Sequence, residues 1–245
     1  MITNVFSTPR TGSTWYSLFL KDLLLKQKEN NKVSFLSEPF NQYHYGLYHE
    51  QTDSSFYNHQ EYQNGRFYKK LVLKDGLVVT EKIYEKKSQS MEEEFLYKRE
   101  LIQKAECDLI VHNHVAPLSD EIFNFLLDIG HKNYMLCRKD IKQQLASYAI
   151  AYHTKKFVDF KTPKESLNFE TSIVQTQPLK DLLGRIKKQR QIMEQFPNTF
   201  EVINYEDIQF TEYLESPKKQ NQDAWKSLCS SDQECISGLI NDFSF

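Results

Sequence analysis

The chain has 245 residues, of which 40% are hydrophobic and 26% are charged, enough for one α/β domain with a substantial buried core. The formal net charge is −2, so no overall electrostatic field favours a nucleic acid or an anionic membrane as a partner. No apolar run approaches the roughly 18 residues of a membrane-spanning helix, and the N-terminal residues lack the pattern of a secretory signal. We therefore expect a cytoplasmic protein with no membrane span and no nucleic-acid partner.

Short apolar runs alternate with longer amphipathic stretches along the chain. The apolar runs predict strands at 2–7, 33–37, 109–112, 134–137 and 200–203. The amphipathic stretches predict helices at 13–25, 90–105, 121–129, 141–153 and 172–195. Residues 71–80, with Asp75 and Gly76 at their centre, predict a hairpin or strand pair. The alternation predicts a single domain over residues 1–245, of the α/β class, in which helices flank a central parallel sheet of about five strands.

Residues 40–70 interrupt this alternation with an aromatic-rich segment. Phe and Tyr residues, with His44, His49 and His59, lie among Asn, Gln and Ser without a clear period. The segment is either an ordered lid or an insertion with partial disorder, and its aromatic density favours the lid. Such side chains stack and hydrogen-bond at once, which suits a small-molecule or glycan acceptor. A hydrophobic mini-core beneath a loop is the structural alternative.

The four cysteines do not form a metal-binding pattern. Cys107, Cys137, Cys229 and Cys235 show no Cys-x-x-Cys spacing, and the first two lie beside apolar runs. We expect reduced, packed cysteines and no bound metal.

The loop after the first predicted strand, residues 9–15 with the sequence PRTGSTW, is the most informative segment. A loop between a strand and a helix N-terminus presents backbone N–H groups to an anion. Arg10 adds a permanent charge, and the hydroxyls of Ser13 and Thr14 add donors in the first helical turn. The cation precedes Gly12, unlike the Gly-Lys-Ser/Thr order of nucleoside-triphosphate loops. We predict a site for a phosphate-like anion, with an ordinary turn capped by Ser13 as the alternative.

Three further polar residues come directly after predicted strands. Glu38 follows the second strand, His114 the third and Arg138 the fourth. Ligands of open parallel sheets bind outside the carboxyl ends of the strands. We therefore expect these residues to lie at the same edge of the sheet as the loop of Arg10.

The loop sequence resembles the 5′-phosphosulfate loop of sulfotransferases that use 3′-phosphoadenosine-5′-phosphosulfate, commonly Pro-Lys-Ser-Gly-Thr-Thr-Trp. Its Arg-Thr-Gly-Ser form is similar to that of the carbohydrate and bacterial glycolipid members. The resemblance implies a P-loop NTPase-like three-layer fold and transfer of a sulfuryl group to a hydroxyl of a carbohydrate or glycolipid. It also implies 3′-phosphoadenosine-5′-phosphosulfate as the co-substrate and no metal ion.

A second segment, residues 138–147, resembles the region of these enzymes in which an Arg and a downstream Ser hold the adenosine 3′-phosphate. Ser147 lies nine residues after Arg138 and eight after Lys139, and both spacings occur in the family. Arg138 is preferred because its planar fork suits phosphate, and Lys139 stays open. The start of the following helix offers further N–H donors for a phosphate. Together the two segments assign donor binding to Arg10, Thr11, Gly12, Ser13, Thr14, Trp15, Arg138 and Ser147.

The resemblance assigns catalysis to Arg10, Glu38 and His114 but leaves two candidates for the general base. Glu38, in the sequence SEPF, resembles the Glu-Pro-Leu/Phe segment of carbohydrate sulfotransferases. His114, in HNHVAPL, resembles the Lys-Thr-His-Leu-Pro segment of cytosolic members, with His112 in place of the Lys. A His is poised near neutral pH, whereas a Glu needs burial to raise its pKa, yet the carbohydrate-type loop favours Glu38.

The C-terminal part of the chain resembles the family less closely. Residues 205–208, with the sequence YEDI, are similar to its Tyr-Glu-Asp-Leu, and we expect Tyr205 and Glu206 to be structural. The family's glycine-rich basic loop near the C-terminus has no counterpart, and Lys218 and Lys219 are expected to be a solvated pair. Two other functions stay open. These are a P-loop-like ATP-dependent kinase and a nucleotide-binding module without catalysis.

Overall fold

The computed structural model describes residues 1–27, 33–40, 69–74, 77–82, 91–105, 107–154, 169–208 and 224–243. The strands are β1 (Ile2–Ser7), β2 (Val33–Ser37), β3 (Lys69–Lys74), β4 (Leu77–Lys82), β5 (Asp108–His114), β6 (Lys132–Cys137) and β7 (Glu201–Asn204). The helices are α1 (Ser13–Gln27), α2 (Met91–Gln103), α3 (Asp120–Ile129), α4 (Ile141–Thr154), α5 (Thr176–Gln195) and α6 (Ser230–Asp242). None of these described helices is both long enough and apolar enough to cross a membrane.

The fold is α/β, with a central parallel sheet of five strands and flanking helices, as the alternation of the sequence predicts. The strand order is β2-β5-β1-β6-β7, so strands on both sides of β1 pair with it. In register, Ser7 of β1 lies beside His114 of β5, and Ser37 of β2 lies beside His112. β3 and β4 pair antiparallel as a separate two-stranded sheet, which confirms the predicted strand pair.

The described residues form two compact units whose segments alternate along the chain. The first unit comprises Met1–Ser7, Ser13–Met135 and Asn198–Glu201, and the second comprises Thr8–Gly12, Leu136–Pro197 and Val202–Phe245. In the first, Phe6 packs edge-on against Phe123 and Phe200, with ring centroids 5.4 and 5.7 Å away. In the second, α4, α5 and α6 bury a shared apolar core that includes Leu145, Leu182, Leu183, Ile186 and Ile236.

Several boundaries differ from the prediction, and one helix was not predicted. β5 continues to His114, so His114 is the last residue of the strand and does not follow it. α5 begins at Thr176 because the backbone N–H groups of Ile173 and Val174 donate to the Asp232 carboxylate, which holds them outside the helix. α6 was not predicted, since its sequence SSDQECISGLIND is mostly polar.

α3 ends at Ile129, as the sequence predicts. Ser119 caps α3 by accepting a hydrogen bond from the backbone N–H of Ile122, at 3.3 Å. Gly130 follows the helix with φ −73°, an ordinary conformation for any residue. A Cβ there would overlap the side chains of Asn4 and Asn133, so the glycine is needed for space.

Candidate functional site

The loop Thr8–Gly12 joins β1 to α1, and its backbone contains two residues in the left-handed region. Arg10 has φ 66° and Gly12 has φ 79°. In the described part of the chain only Arg10, Glu38 and Asn198 combine a side chain with positive φ. Asn tolerates this conformation, whereas for Arg and Glu it costs about 1–3 kcal/mol each and is most often found at functional sites. The two strained residues are two of the three predicted catalytic residues.

Buried hydrogen bonds hold the loop in this shape. The Thr11 hydroxyl donates to the Thr8 carbonyl at 2.9 Å. The side-chain amide of Gln144, on α4, donates to the Thr8 hydroxyl at 2.9 Å and to the Pro9 carbonyl at 2.7 Å. Thr8, Thr11 and Gln144 are all buried. Thr11 therefore shapes the loop from inside, and Gln144 is a contributor that the sequence analysis did not identify.

The ring of Tyr205 packs against the loop at Gly12. A Cβ built on Gly12 would overlap this ring, so the position is limited to glycine by space as well as by its positive φ. Tyr205 lies in the 3-10 turn Tyr205–Asp207, directly after β7. Its role here is structural, as the sequence suggested.

We expect Gly12→Ala to lower the free energy of unfolding by about 2–4 kcal/mol, since it adds left-handed strain and overpacks the Tyr205 ring. Gly184→Ala is the matched variant, because Gly184 lies inside α5 with open space around its Cα. It should stabilise the protein by about 0.5–1 kcal/mol through helix propensity. Urea unfolding measures both changes. Equal stability of the Gly12→Ala variant and wild type would contradict the close approach of Tyr205.

Arg10 meets Arg138 and Ser147 at this loop, although it lies far from both of them in the sequence. Arg10 Nε donates to Ser147 Oγ at 3.0 Å. Arg138 Nη1 donates to the Arg10 carbonyl oxygen at 3.0 Å, and its guanidinium carbon lies 5.3 Å from the centroid of the Tyr205 ring. The loop and the segment 138–147 thus contact each other. They are the two segments predicted to contact the 5′-phosphosulfate and the 3′-phosphate of one nucleotide.

Two cationic side chains, those of Arg10 and Arg138, lie near each other in this cluster. Burial, and secondly the nearby charge of Arg138, lowers the pKa of Arg10 to about 10, while Tyr205 acts in the opposite direction. Arg10 therefore stays cationic at neutral pH, with a charge that has lost solvation. Guanidinium groups held in this way suit an anionic ligand such as a phosphate.

Backbone N–H groups just before α4 donate within the protein. Those of Lys139 and Asp140 donate to the Glu206 carboxylate at 3.0 and 3.3 Å, and Glu206 also approaches Arg138 Nε at 3.5 Å. In the first turn of α4 the N–H of Gln143 donates to Asp140 Oδ1 at 3.0 Å. The phosphate contact expected of the helix start stays a prediction.

Lys139 and Arg138 are adjacent in sequence but lie in different surroundings. Lys139 Nζ pairs with the exposed carboxylate of Asp207 at 2.7 Å, and both side chains are more than half exposed. Arg138 is directed to the Arg10 carbonyl instead. Of the two cations left open by the sequence, Arg138 is the one at the loop.

A second cluster lies in the first unit, at the carboxyl ends of β1, β2 and β5. Glu38, directly after β2, has φ 49°, and its backbone N–H donates to the His112 carbonyl at 2.7 Å. The backbone N–H of Val115 donates to the Ser7 carbonyl at 2.9 Å. These bonds fix the three strand ends against one another, so the side chains there are held by rigid backbone.

Four side chains of this second cluster are connected. Glu38 Oε1 lies 3.3 Å from His114 Nε2, and Ser7 Oγ lies 3.1 Å from His114 Nδ1 and 2.9 Å from His112 Nε2. The Glu38 and His114 side chains are 16% and 17% exposed, whereas Ser7 and His112 are 0% and 1% exposed. The two rival candidates for the general base are thus an interacting pair that solvent can reach.

The extension of β5 places His112 and His114 on one face of the strand. Within the described ranges no group of three or more His, Cys, Asp or Glu side chains is arranged to hold a metal ion. Ser7 and His112 are members of the cluster that the sequence analysis did not assign to the site. Only the register of β1 against β5 reveals them.

The remaining predicted residues lie at the start of α1 or outside the described residues. Ser13 is buried in the first turn of α1. Thr14 and Trp15 follow it in that turn, and the roles expected of their side chains stay predictions. Residues 41–68 of the aromatic segment, and Lys218 and Lys219, lie outside the described residues.

No protein-family model matches the sequence, and no curated protein matches it.

Proposed function

We propose that this protein is a sulfotransferase that transfers a sulfuryl group from 3′-phosphoadenosine-5′-phosphosulfate to a hydroxyl of a carbohydrate or glycolipid, on a P-loop NTPase-like three-layer fold. The observation that carries the proposal is the meeting of Arg10, Ser147 and Arg138 within 3.0 Å hydrogen bonds. The resemblance assigns these residues to the 5′-phosphosulfate and the 3′-phosphate of one donor. A nucleotide with phosphates at both positions needs two such cationic segments side by side.

The sheet topology supports a ligand at the same loop independently of the resemblance. The order β2-β5-β1-β6-β7 reverses at β1, because the chain passes from β5 on one side of β1 to β6 on the other. Ligands of open α/β sheets bind beyond the carboxyl ends of the strands at such a switch point. The loop that follows β1 is the loop of Arg10.

The cluster of Arg10, Arg138 and Ser147 at the loop fits the anionic part of the donor. Gly12 leaves no space for a side chain, and Arg10 presents a desolvated positive charge near Arg138. In the proposed reaction these cations offset the negative charge that grows on the leaving phosphate as the sulfur–oxygen bond breaks. Such preorganised stabilisation is a principal catalytic contribution in transfer reactions of this kind.

The Glu38–His114 pair supplies the base. The acceptor hydroxyl forms a new oxygen–sulfur bond and gives up its proton, which a carboxylate or imidazole must take. General-base catalysis of this kind contributes about 10²–10⁴-fold to the rate. The side chains of Glu38 and His114 are both partly exposed, unlike those of Ser7 and His112.

The proposal is tested with sulfur-35-labelled 3′-phosphoadenosine-5′-phosphosulfate and a panel of monosaccharides, glycolipids and phenols. We expect label in a saccharide or glycolipid product without added metal. Phosphoryl transfer from labelled ATP with magnesium would instead identify the kinase alternative. Binding of the donor without transfer to any acceptor would identify a nucleotide-binding module.

A further inference from the structure

One face of α4 holds both the backbone and the side chain of the loop at Arg10. Gln144 Nε2 donates to the Pro9 carbonyl at 2.7 Å and to the Thr8 hydroxyl at 2.9 Å. Further along α4, Ser147 Oγ accepts from Arg10 Nε at 3.0 Å. Residues at positions i and i+3 of a helix are neighbours on one face. α4 therefore contacts the loop through two buried side chains, those of Gln144 and Ser147.

The peptide groups on the two sides of the Arg10 Cα are each held by a donor. Gln144 binds the carbonyl of the Pro9–Arg10 peptide, and Arg138 Nη1 binds the Arg10 carbonyl, which belongs to the next peptide. A peptide group is planar, so a hydrogen bond to its carbonyl restricts the whole plane. The dihedrals φ and ψ of Arg10 are the rotations of these two planes about its Cα. Gln144 and Arg138 therefore restrict both dihedrals.

The conformation that they restrict is one that an Arg residue does not favour. Arg10 has φ 66°, and a side chain in this left-handed region costs free energy that the surrounding structure must offset. The hydrogen bond from the Thr11 hydroxyl to the Thr8 carbonyl also closes the loop, but it involves neither peptide group of Arg10. Of the two side chains that do, Gln144 is neutral, so its removal takes no positive charge from the site.

A loop held in this way presents backbone N–H groups before any ligand binds. The Pro9–Arg10 peptide is trans, since the described residues contain no cis peptide bond, and its N–H points opposite to its carbonyl. The Arg10 N–H is therefore directed away from Gln144. Backbone N–H groups of such turns bind anions, and a site that is already ordered binds more tightly because the ligand does not have to order it.

We propose that Gln144 is a positioning residue: its side-chain amide, together with Arg138, holds Arg10 in the left-handed conformation and so preorganises the loop for an anionic ligand. The inference about the shape of the loop rests only on the hydrogen bonds. The inference about affinity for adenosine-3′,5′-bisphosphate rests on the proposed sulfotransferase function.

The first measurement is the backbone conformation of Arg10 in the ligand-free full chain, by NMR with nitrogen-15-labelled arginine and with Arg10 assigned from the spectrum of Arg10→Lys. A positive φ brings the amide proton and the Hα of one residue close together, so wild type should show a strong NOE between them. Gln144→Met keeps the length of the side chain but removes the donor, and this NOE should weaken. Gln144→Asn should weaken it as well, because its amide is one methylene short of the loop, and it serves if Gln144→Met does not fold.

Gln189→Met is the matched control. Gln189 is also buried, in α5 of the same unit, and its side-chain amide donates to the Leu136 carbonyl at 2.9 Å. We expect it to leave the Arg10 NOE unchanged. A weak NOE in wild type, an NOE that neither Gln144 variant changes, or an equal loss in Gln189→Met would overturn the inference.

Binding separates this inference from the proposed function. The affinity of a site falls by the fraction of time that its binding conformation is populated, so a loop formed about a tenth of the time binds about 10-fold more weakly. We expect a loss of this size for Gln144→Met with adenosine-3′,5′-bisphosphate in titration calorimetry, and close to wild-type affinity for Gln189→Met. A weakened NOE with unchanged affinity would refute the role in binding. If wild type binds no bisphosphate but the NOE responds as described, the proposed function fails while the positioning of the loop stands.

Discussion

Replacing Arg10 or Arg138 by alanine is expected to weaken binding of adenosine-3′,5′-bisphosphate by about 10- to 100-fold for each variant, because a hydrogen bond to a charged group contributes about 1.5–3 kcal/mol. Arg10 is a desolvated cation whose pKa is lowered to about 10 by burial and by Arg138, so it gains most from a bound anion. Arg138 contacts the same loop through the Arg10 carbonyl. Titration calorimetry with the purified variants measures the loss.

Lys139→Ala is the control for this prediction. It removes the neighbouring positive charge, which is exposed and paired with Asp207, and exposed ion pairs contribute little. We expect bisphosphate affinity within about twofold of wild type, the size of a surface ion-pair effect. The bisphosphate affinity of Arg138→Lys should lie between those of wild type and Arg138→Ala, because an ammonium keeps the charge but loses the planar fork. A larger loss of bisphosphate affinity for Lys139→Ala than for Arg138→Ala would indicate that the phosphate binds near Lys139 and not near Arg138.

Replacing Glu38 by glutamine is expected to lower the rate of sulfuryl transfer by about 10²–10⁴-fold, the usual contribution of a general base. The amide keeps the size of the side chain but cannot take a proton. His114→Gln should also lower the rate, because it removes the imidazole that contacts Glu38 Oε1 at 3.3 Å. Neither variant should weaken bisphosphate binding, because neither residue belongs to the cationic cluster at the loop. Initial rates at saturating donor, with calorimetry in parallel, separate the two effects.

Glu121→Gln serves as the comparison for Glu38→Gln. Glu121 is an exposed carboxylate in the first turn of α3, in the same unit as Glu38. Its variant should transfer at the wild-type rate. Unchanged transfer by the double variant Glu38→Gln, His114→Gln would remove both residues from the mechanism.

The bounds of β1 and the start of α1 follow from sequence because two strong local signals meet there. The apolar run of β1 ends where Pro9 and Gly12 interrupt it, and a helical apolar period begins after them. The length of β5 was underestimated because its end lacks such local signals. Its last residues, Asn113 and His114, are polar and carry no strand signal, yet β1 pairs with both of them. Pairing between strands, rather than local propensity, extends β5.

The site shows the same division between local and non-local information. Arg10, Glu38 and Arg138 were identified because each follows a predicted strand of a parallel sheet. The left-handed backbone of Arg10 and Glu38 was not predicted, since neither residue type favours it. The contacts of Gly12 with Tyr205 and of Ser7 with His112 join residues more than a hundred positions apart. They depend on strand order and register, which no local pattern specifies.

The most direct measurement is calorimetric titration of the wild-type protein with adenosine-3′,5′-bisphosphate, adenosine 5′-monophosphate and ATP with magnesium. We expect the bisphosphate to bind at least about 10-fold more tightly than the monophosphate, because a second phosphate adds charge-assisted hydrogen bonds of about 1.5–3 kcal/mol. We also expect it to bind more tightly than ATP with magnesium. Equal affinity for the two adenosine phosphates, or a preference for ATP with magnesium, would contradict the assignment of Arg10, Arg138 and Ser147 to a bisphosphate site.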